Sequence, residues 1–160
     1  MPFFVSIAIK GLFVYNGSIN YKEVSYMGSF TDYTENKVLD EIFGAVAFAA
    51  PATLYIGLST TTITDAGGSI TEPVGNGYAR SAVTNNATNF PAASGGSKSN
   101  GTDITFAQAT GAQGTILDFF VADTITGGNI LAYGTLTASK AITSGDTAKF
   151  ASGSLTITLN

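Results

Sequence analysis

Between residues 31 and 43 the apolar positions recur at helical spacing. Val38 with Ile42, and Leu39 with Phe43, lie four apart, and Phe30 and Tyr33 carry the stripe back toward the N-terminus. Glu35, Asp40 and Glu41 take the other side. Ser29 or Thr31 can cap the start, Asp32 and Glu35 sit in the first turn where the helix dipole favours negative charge, and Gly44 follows the end. The spacing predicts one helix over about 31–43, laying its apolar face on the rim or face of a sheet.

After Pro51 the period changes to two. In 53–59 Leu54, Ile56 and Leu58 fall on one face, with Tyr55, Gly57 and Ser59 opposite. Further strands are predicted over 78–84, 103–106, 115–122, 129–136, 147–150 and 154–159. The more uniformly apolar 115–122 is expected to be central, with 129–136 as its hairpin partner across a turn at Thr126 to Gly128. Gly, Ser, Asn and Asp fill the segments between them, notably 65–68, 75–77, 94–97, 100–101 and 144–146. This pattern predicts a mainly β fold, an antiparallel β-sandwich or jelly-roll-like domain with one N-terminal amphipathic helix. There is no heptad, collagen triplet or exact repeat.

Residues 1–15 are the most apolar stretch, yet no basic n-region precedes it and Lys10 interrupts it. It is too short to span a bilayer. A strand pair, an oligomer contact, or a start assigned too far upstream would each account for it. Met27 stands directly before the helix, which favours the last. The expected organisation is an atypical extension over 1–26 and a single domain over 27–160.

Composition narrows the chemistry. The chain has no His, Cys or Trp, and 11% of its residues are charged. Imidazole-assisted nucleophiles, thiolates, disulfides and the usual zinc donors are therefore excluded. Net charge is −4, and Arg80 is the only arginine beside scattered lysines, so no basic stripe exists to neutralise phosphates and no nucleic-acid partner is expected. Asp118 and Asp123 flank the central strand. A pair of catalytic carboxylates needs a defined separation across a cleft. The plainer reading puts Asp118 on the solvent face and makes Asp123 and Asp146 turn residues. Asp65 near Gly67, and Glu72 before Pro73, lack the spacing of a calcium loop. Gly75-Asn-Gly77 is no phosphate loop. Glycosylation triplets at Asn16, Asn86 and Asn100 matter only in a secretory host. No catalytic residue, cofactor or metal is predicted; the chain reads as a non-enzymatic surface.

Candidate contact residues follow from what is left. Tyr78 and Arg80 share a strand face, as an interface spot or as a pair in which Arg80 meets a carboxylate while the Tyr78 ring packs. The polar stretch 84–105 is longer than most connections and has one apolar anchor, Phe90 before Pro91, so it is a contact arm or a packed Ω-like excursion. Tyr55, Tyr78 and Tyr133 are the aromatics available to stack on a host-surface glycan.

The order Ser29-Phe-Thr-Asp-Tyr-Thr-Glu-Asn-Lys-Val-Leu-Asp40, Ile42-Phe-Gly44, Pro51 through Ser59, Asp65-Ala-Gly-Gly68, Glu72-Pro73, Gly77-Tyr-Ala-Arg80, Ala82 through Asn86 and Asn89-Phe-Pro91 resembles a family of small tailed-phage structural proteins often labelled tail-fibre-like. The resemblance covers roughly residues 27–160. It implies a β-rich virion component, homo-oligomeric and attached through other virion proteins to tail or capsid, assembled in the host cytoplasm. It supplies no catalytic residue. A tail, tail-fibre or baseplate role is expected first, with capsid decoration and glycan recognition as alternatives.

Overall fold

The computed structural model describes residues 5–10, 12–15 and 25–159. In chain order the elements are β1 (Val5–Lys10), β2 (Leu12–Tyr15), β3 (Ser25–Phe30), α1 (Asp32–Gly44), β4 (Thr53–Ser59), β5 (Ser81–Thr84), β6 (Ser97–Ser99), β7 (Ile104–Thr105), β8 (Gly114–Ala122), β9 (Ile130–Ile142), β10 (Thr147–Phe150) and β11 (Thr156–Leu159). The eight-stranded sheet has the order β5-β4-β8-β9-β3-β1-β11-β6, and the three-stranded sheet is β2-β10-β7. Every pairing is antiparallel, so the predicted class is observed, as two open sheets rather than a closed barrel.

Alternation decides which side chains enter the core. Ile56 and Leu58 of β4, Ile116, Phe119 and Val121 of β8, and Ala132 and Leu136 of β9 meet Ile104, Phe106, Ala148 and Phe150 from the small-sheet side. Phe150 lies edge-on to Phe119, with ring centroids 5.7 Å apart, and tilts against Phe106 at 6.3 Å. β8 is central, as its apolar run predicts, and β9 runs to Ile142, well beyond its predicted end. β3 and β6 are strands that the pattern does not announce; β1 and β2 fall within the first 26 residues and enter both sheets. The Asn16 triplet lies outside the described residues.

The helix forms where expected, with different ends. Thr31 occupies the N-cap, but its hydroxyl donates to the Ile130 carbonyl instead of capping α1. At the other end Gly44 stays helical, and Ala45 takes the left-handed conformation at φ 54°. The Val46 N–H then closes on the Asp40 carbonyl at 3.1 Å. Phe30 and Tyr33 pack against the core and Thr34 is buried, so the first half of α1 sits on β3 and β9. The second half does not.

Candidate interaction surface and the Arg80 cluster

The second face of the large sheet is covered by its own chain. Leaving β4, the segment 60–80 folds back over Tyr55, Phe120, Ala122, Ile130 and Tyr133, adding Ile63 and Ile70 to a small apolar cluster. Ser59 holds the start of this cover. Its hydroxyl donates to the Thr61 carbonyl at 2.7 Å and accepts from the Thr61 and Thr71 N–H groups, each at 3.2 Å. Asp118, paired in register with Ser59 on β4 and Thr135 on β9, accepts the Ile63 N–H at 2.7 Å. It is fully buried, which overturns the expectation that it faces solvent. The alternation was right about the face; an Ile-bearing loop covers that face. Burial raises the Asp118 carboxyl above its ordinary range, against the lowering effect of bonds from Ile63 and Thr135. Its Oδ1 has no partner.

Arg80 clamps the same cover. Gly57 on β4 faces Phe120 on β8, and the missing side chain leaves room for the Phe120 ring to lie over it. Arg80 stacks above that ring, its guanidinium carbon 4.8 Å from the centroid. Its Nε and Nη2 donate to Glu72, the shortest contact being 2.7 Å, and its Nη1 donates to the carbonyls of Thr124 and Gly127 at 2.8 and 2.9 Å. The Tyr78 hydroxyl donates to Glu72 at 2.8 Å and accepts the Leu58 N–H at 2.9 Å. Burial, with the Glu72 charge adding to it, pushes the Tyr78 phenol far up. One guanidinium thus ties the 60–80 cover to the β8–β9 turn. This is the structural alternative foreseen for Arg80, with Glu72 as the carboxylate that sequence reasoning did not pair with it.

The other candidate residues are scattered. Phe90 is buried in the main core as the plug of 84–105, which is a packed excursion. Asn86 Oδ1 accepts from the Thr88 and Asn89 N–H groups, and buried Asn100 donates to the Thr102 and Ala151 carbonyls. Tyr55 and Tyr133 are half-buried on the covered face, away from Tyr78 in function, since the Tyr78 hydroxyl is spent inward. Asp123 and Asp146 hold turns, accepting from Asn129 and Thr143 respectively. Where α1 begins, a cleft of about 180 Å³ is lined by Thr31, Tyr33, Ala66, Gly67, Asn129 and Ile130 among others. Burial, with Asp65 and Asp32 nearby, raises Glu35, and burial with Asp65 pushes Tyr133 up to about 12. Among the described residues no group of three or more acidic side chains is placed to hold a metal, and no helix is long and apolar enough to cross a membrane.

The exposed surface of α1 is different in kind. Leu39, Ile42, Phe43 and Val46 are 54, 65, 81 and 55% exposed, and Ala45, Ala47, Ala49 and Ala50 beside them are exposed too. Scattered exposed apolar residues are ordinary; a contiguous run is a contact signal. The helical stripe was legible, but half of it faces outward.

A family model described as podophage GP4 fiber I protein gp80 matches residues 29–158. The chain belongs to this podophage fibre family. No curated protein matches it. Membership makes it a bacteriophage fibre structural protein and a virion component. The fibre-family segment contains α1, its exposed ridge and the whole Arg80 cluster, and it begins after β1 and β2.

Proposed function

We propose that this fibre protein is a non-enzymatic subunit of the tail or baseplate, held among other virion proteins by repeated apolar contacts through the outer ridge of α1 and the Ala-rich segment after it. The carrying observation is the ridge of Leu39, Ile42, Phe43 and Val46, contiguous and exposed, whereas the other exposed large apolar side chains among the described residues, Val74 and Ile125, stand singly in loops. The buried polar clusters support the reading from the other side. Arg80, Glu72 and Tyr78 bond one another and the loops around them, and Asp118 is fully buried beneath the cover, out of reach of a ligand. The Tyr78 hydroxyl is bonded inward and Tyr55 and Tyr133 lie half-buried under the 60–80 cover, which ranks a tyrosine platform for glycans below protein contact.

The test is a phage carrying Ile42→Ser with Phe43→Ser. The isolated variant keeps its melting temperature, because both side chains are exposed, while its abundance in purified particles falls at least tenfold. Normal incorporation refutes the ridge as the contact. Density for the protein on the head instead of the tail would favour capsid decoration.

A further inference from the structure

The outer end of α1 is a convex knob whose charges have one sign. Every residue from Leu39 to Ala47 is exposed, before Phe48 turns back against the core. The helix carries Asp32, Glu35, Asp40 and Glu41 against Lys37 alone, and no basic residue stands in its last turn. Asp40 lies three residues before Phe43 and Glu35 four before Leu39, so both border the apolar ridge. Glu41 stands on the other side of the same exposed turn. Lys37 leans over the Tyr33 ring, 5.8 Å from its centroid. The ion pairs among the described residues, Arg80 with Glu72 and Lys149 with Asp103, lie elsewhere. Carboxylates in the last turn of a helix meet the negative end of its dipole, so Asp40 and Glu41 weaken the isolated helix. Nothing among the described residues compensates them.

Taking the ridge as the contact, as the functional reading does, we propose that its occupant is a different virion protein, one presenting an apolar socket rimmed by lysine or arginine, and not a second copy of this chain. Charge complementarity carries this. Two copies packed ridge to ridge about a two-fold axis would oppose Glu35, Asp40 and Glu41 to the same residues of the other copy. Like charges set against each other across an interface are strongly penalised. Another face of the chain is a poor socket too. Net charge is −4, Arg80 is buried, Lys149 is held by Asp103, and Lys37 belongs to the acidic helix itself. A basic rim on a different protein instead pairs both carboxylates and offsets the helix dipole that they oppose. At contact distance the two acids are part of the fit. Before assembly they keep the bare ridges of free copies from pairing with one another.

The test compares phage carrying Asp40→Lys with Glu41→Lys, Asp40→Asn with Glu41→Gln, and Ile42→Ser with Phe43→Ser. Isolated, the Lys pair keeps its melting temperature within about 2 °C, because the dipole gain at the helix end offsets new repulsion from Lys37. In purified particles its abundance falls about tenfold or more, below that of the Asn/Gln pair. A Lys pair incorporated as well as the Asn/Gln pair overturns the basic rim. If the Ser pair is lost while the Lys pair enters normally, the ridge stands as the contact and its basic partner does not. If both enter normally, the ridge itself is refuted and the basic partner with it. Sedimentation of the isolated chains separates a copy from another protein. Wild type and the Ser pair are expected to sediment alike. A smaller oligomer for the Ser pair would make the occupant a second copy and overturn the proposal.

Discussion

Gly57→Ala is the sharpest probe of how the covered face is built. Gly57 does not have a positive φ, and elsewhere a Gly to Ala change at such a site stabilises by about 0.4–1 kcal/mol through the unfolded chain. Here the added Cβ would stand 2.1 Å from Phe120 Cζ and 2.6 Å from each Cε. Carbon atoms rest about 3.5 Å apart at closest, so the ring must retreat by roughly 1.4 Å. Phe120 is fully buried, and behind it Arg80 sits 4.8 Å from the centroid. Retreat therefore pushes the guanidinium off Glu72 and off the Thr124 and Gly127 carbonyls. Overpacking costs about 1–3 kcal/mol and a desolvated cation–π contact about 1–2, so the net loss is roughly 3 kcal/mol. For 160 residues that lowers the melting temperature by about 6–12 °C. Calorimetry on Gly57→Ala, Phe120→Leu and the double variant measures the coupling, expected to exceed about 1.5 kcal/mol. A neutral Gly57→Ala, or one whose cost is unchanged beside Phe120→Leu, refutes the stack of glycine, ring and guanidinium.

Arg80→Met leaves Glu72 and two carbonyls without their donor in a largely buried setting, and costs about 3–5 kcal/mol by denaturant titration. Asp118→Asn removes a buried charge while its amide oxygen still accepts from Ile63. The folded carboxyl is raised, so its burial costs stability above that raised value and costs none below the ordinary 3.8. The Asn variant should therefore melt higher than the parent near pH 7, with the difference vanishing toward pH 3.5; a constant difference would contradict the assignment. Ala45→Gly should stabilise α1 by about 0.5–1 kcal/mol, read from thermal melts, because Ala45 is exposed and held left-handed.

The strands that read well in the sequence are those whose alternation is local. β4 and β10 end where the pattern ends, and β8 announces its central place by its apolar run. β6 is three residues of Ser-Lys-Ser, with no alternation to see; only pairing with β11 makes it a strand. Asp118 was misread for a related reason. Its face follows from its position in β8, but its burial depends on Ile63, 55 residues away, whose N–H it accepts. Glu72 has the same difficulty. A Tyr and the only Arg two residues apart, downstream of a lone Glu before Pro, are the available signal, and it points to a pair without giving geometry. The exposed half of α1 was invisible because an amphipathic stripe reports that a face wants cover and says nothing of what supplies it.

That distinction bears on how a chain with few charges makes a fibre protein. Its only arginine is turned inward, where a single guanidinium ties the long 60–80 cover to the β8–β9 turn. Among the described residues the outward surface carries mostly uncharged polar loops and the apolar ridge, with Val74 and Ile125 exposed singly. Such a surface has little long-range attraction or repulsion to offer, so neighbours are selected at contact by fit and buried area.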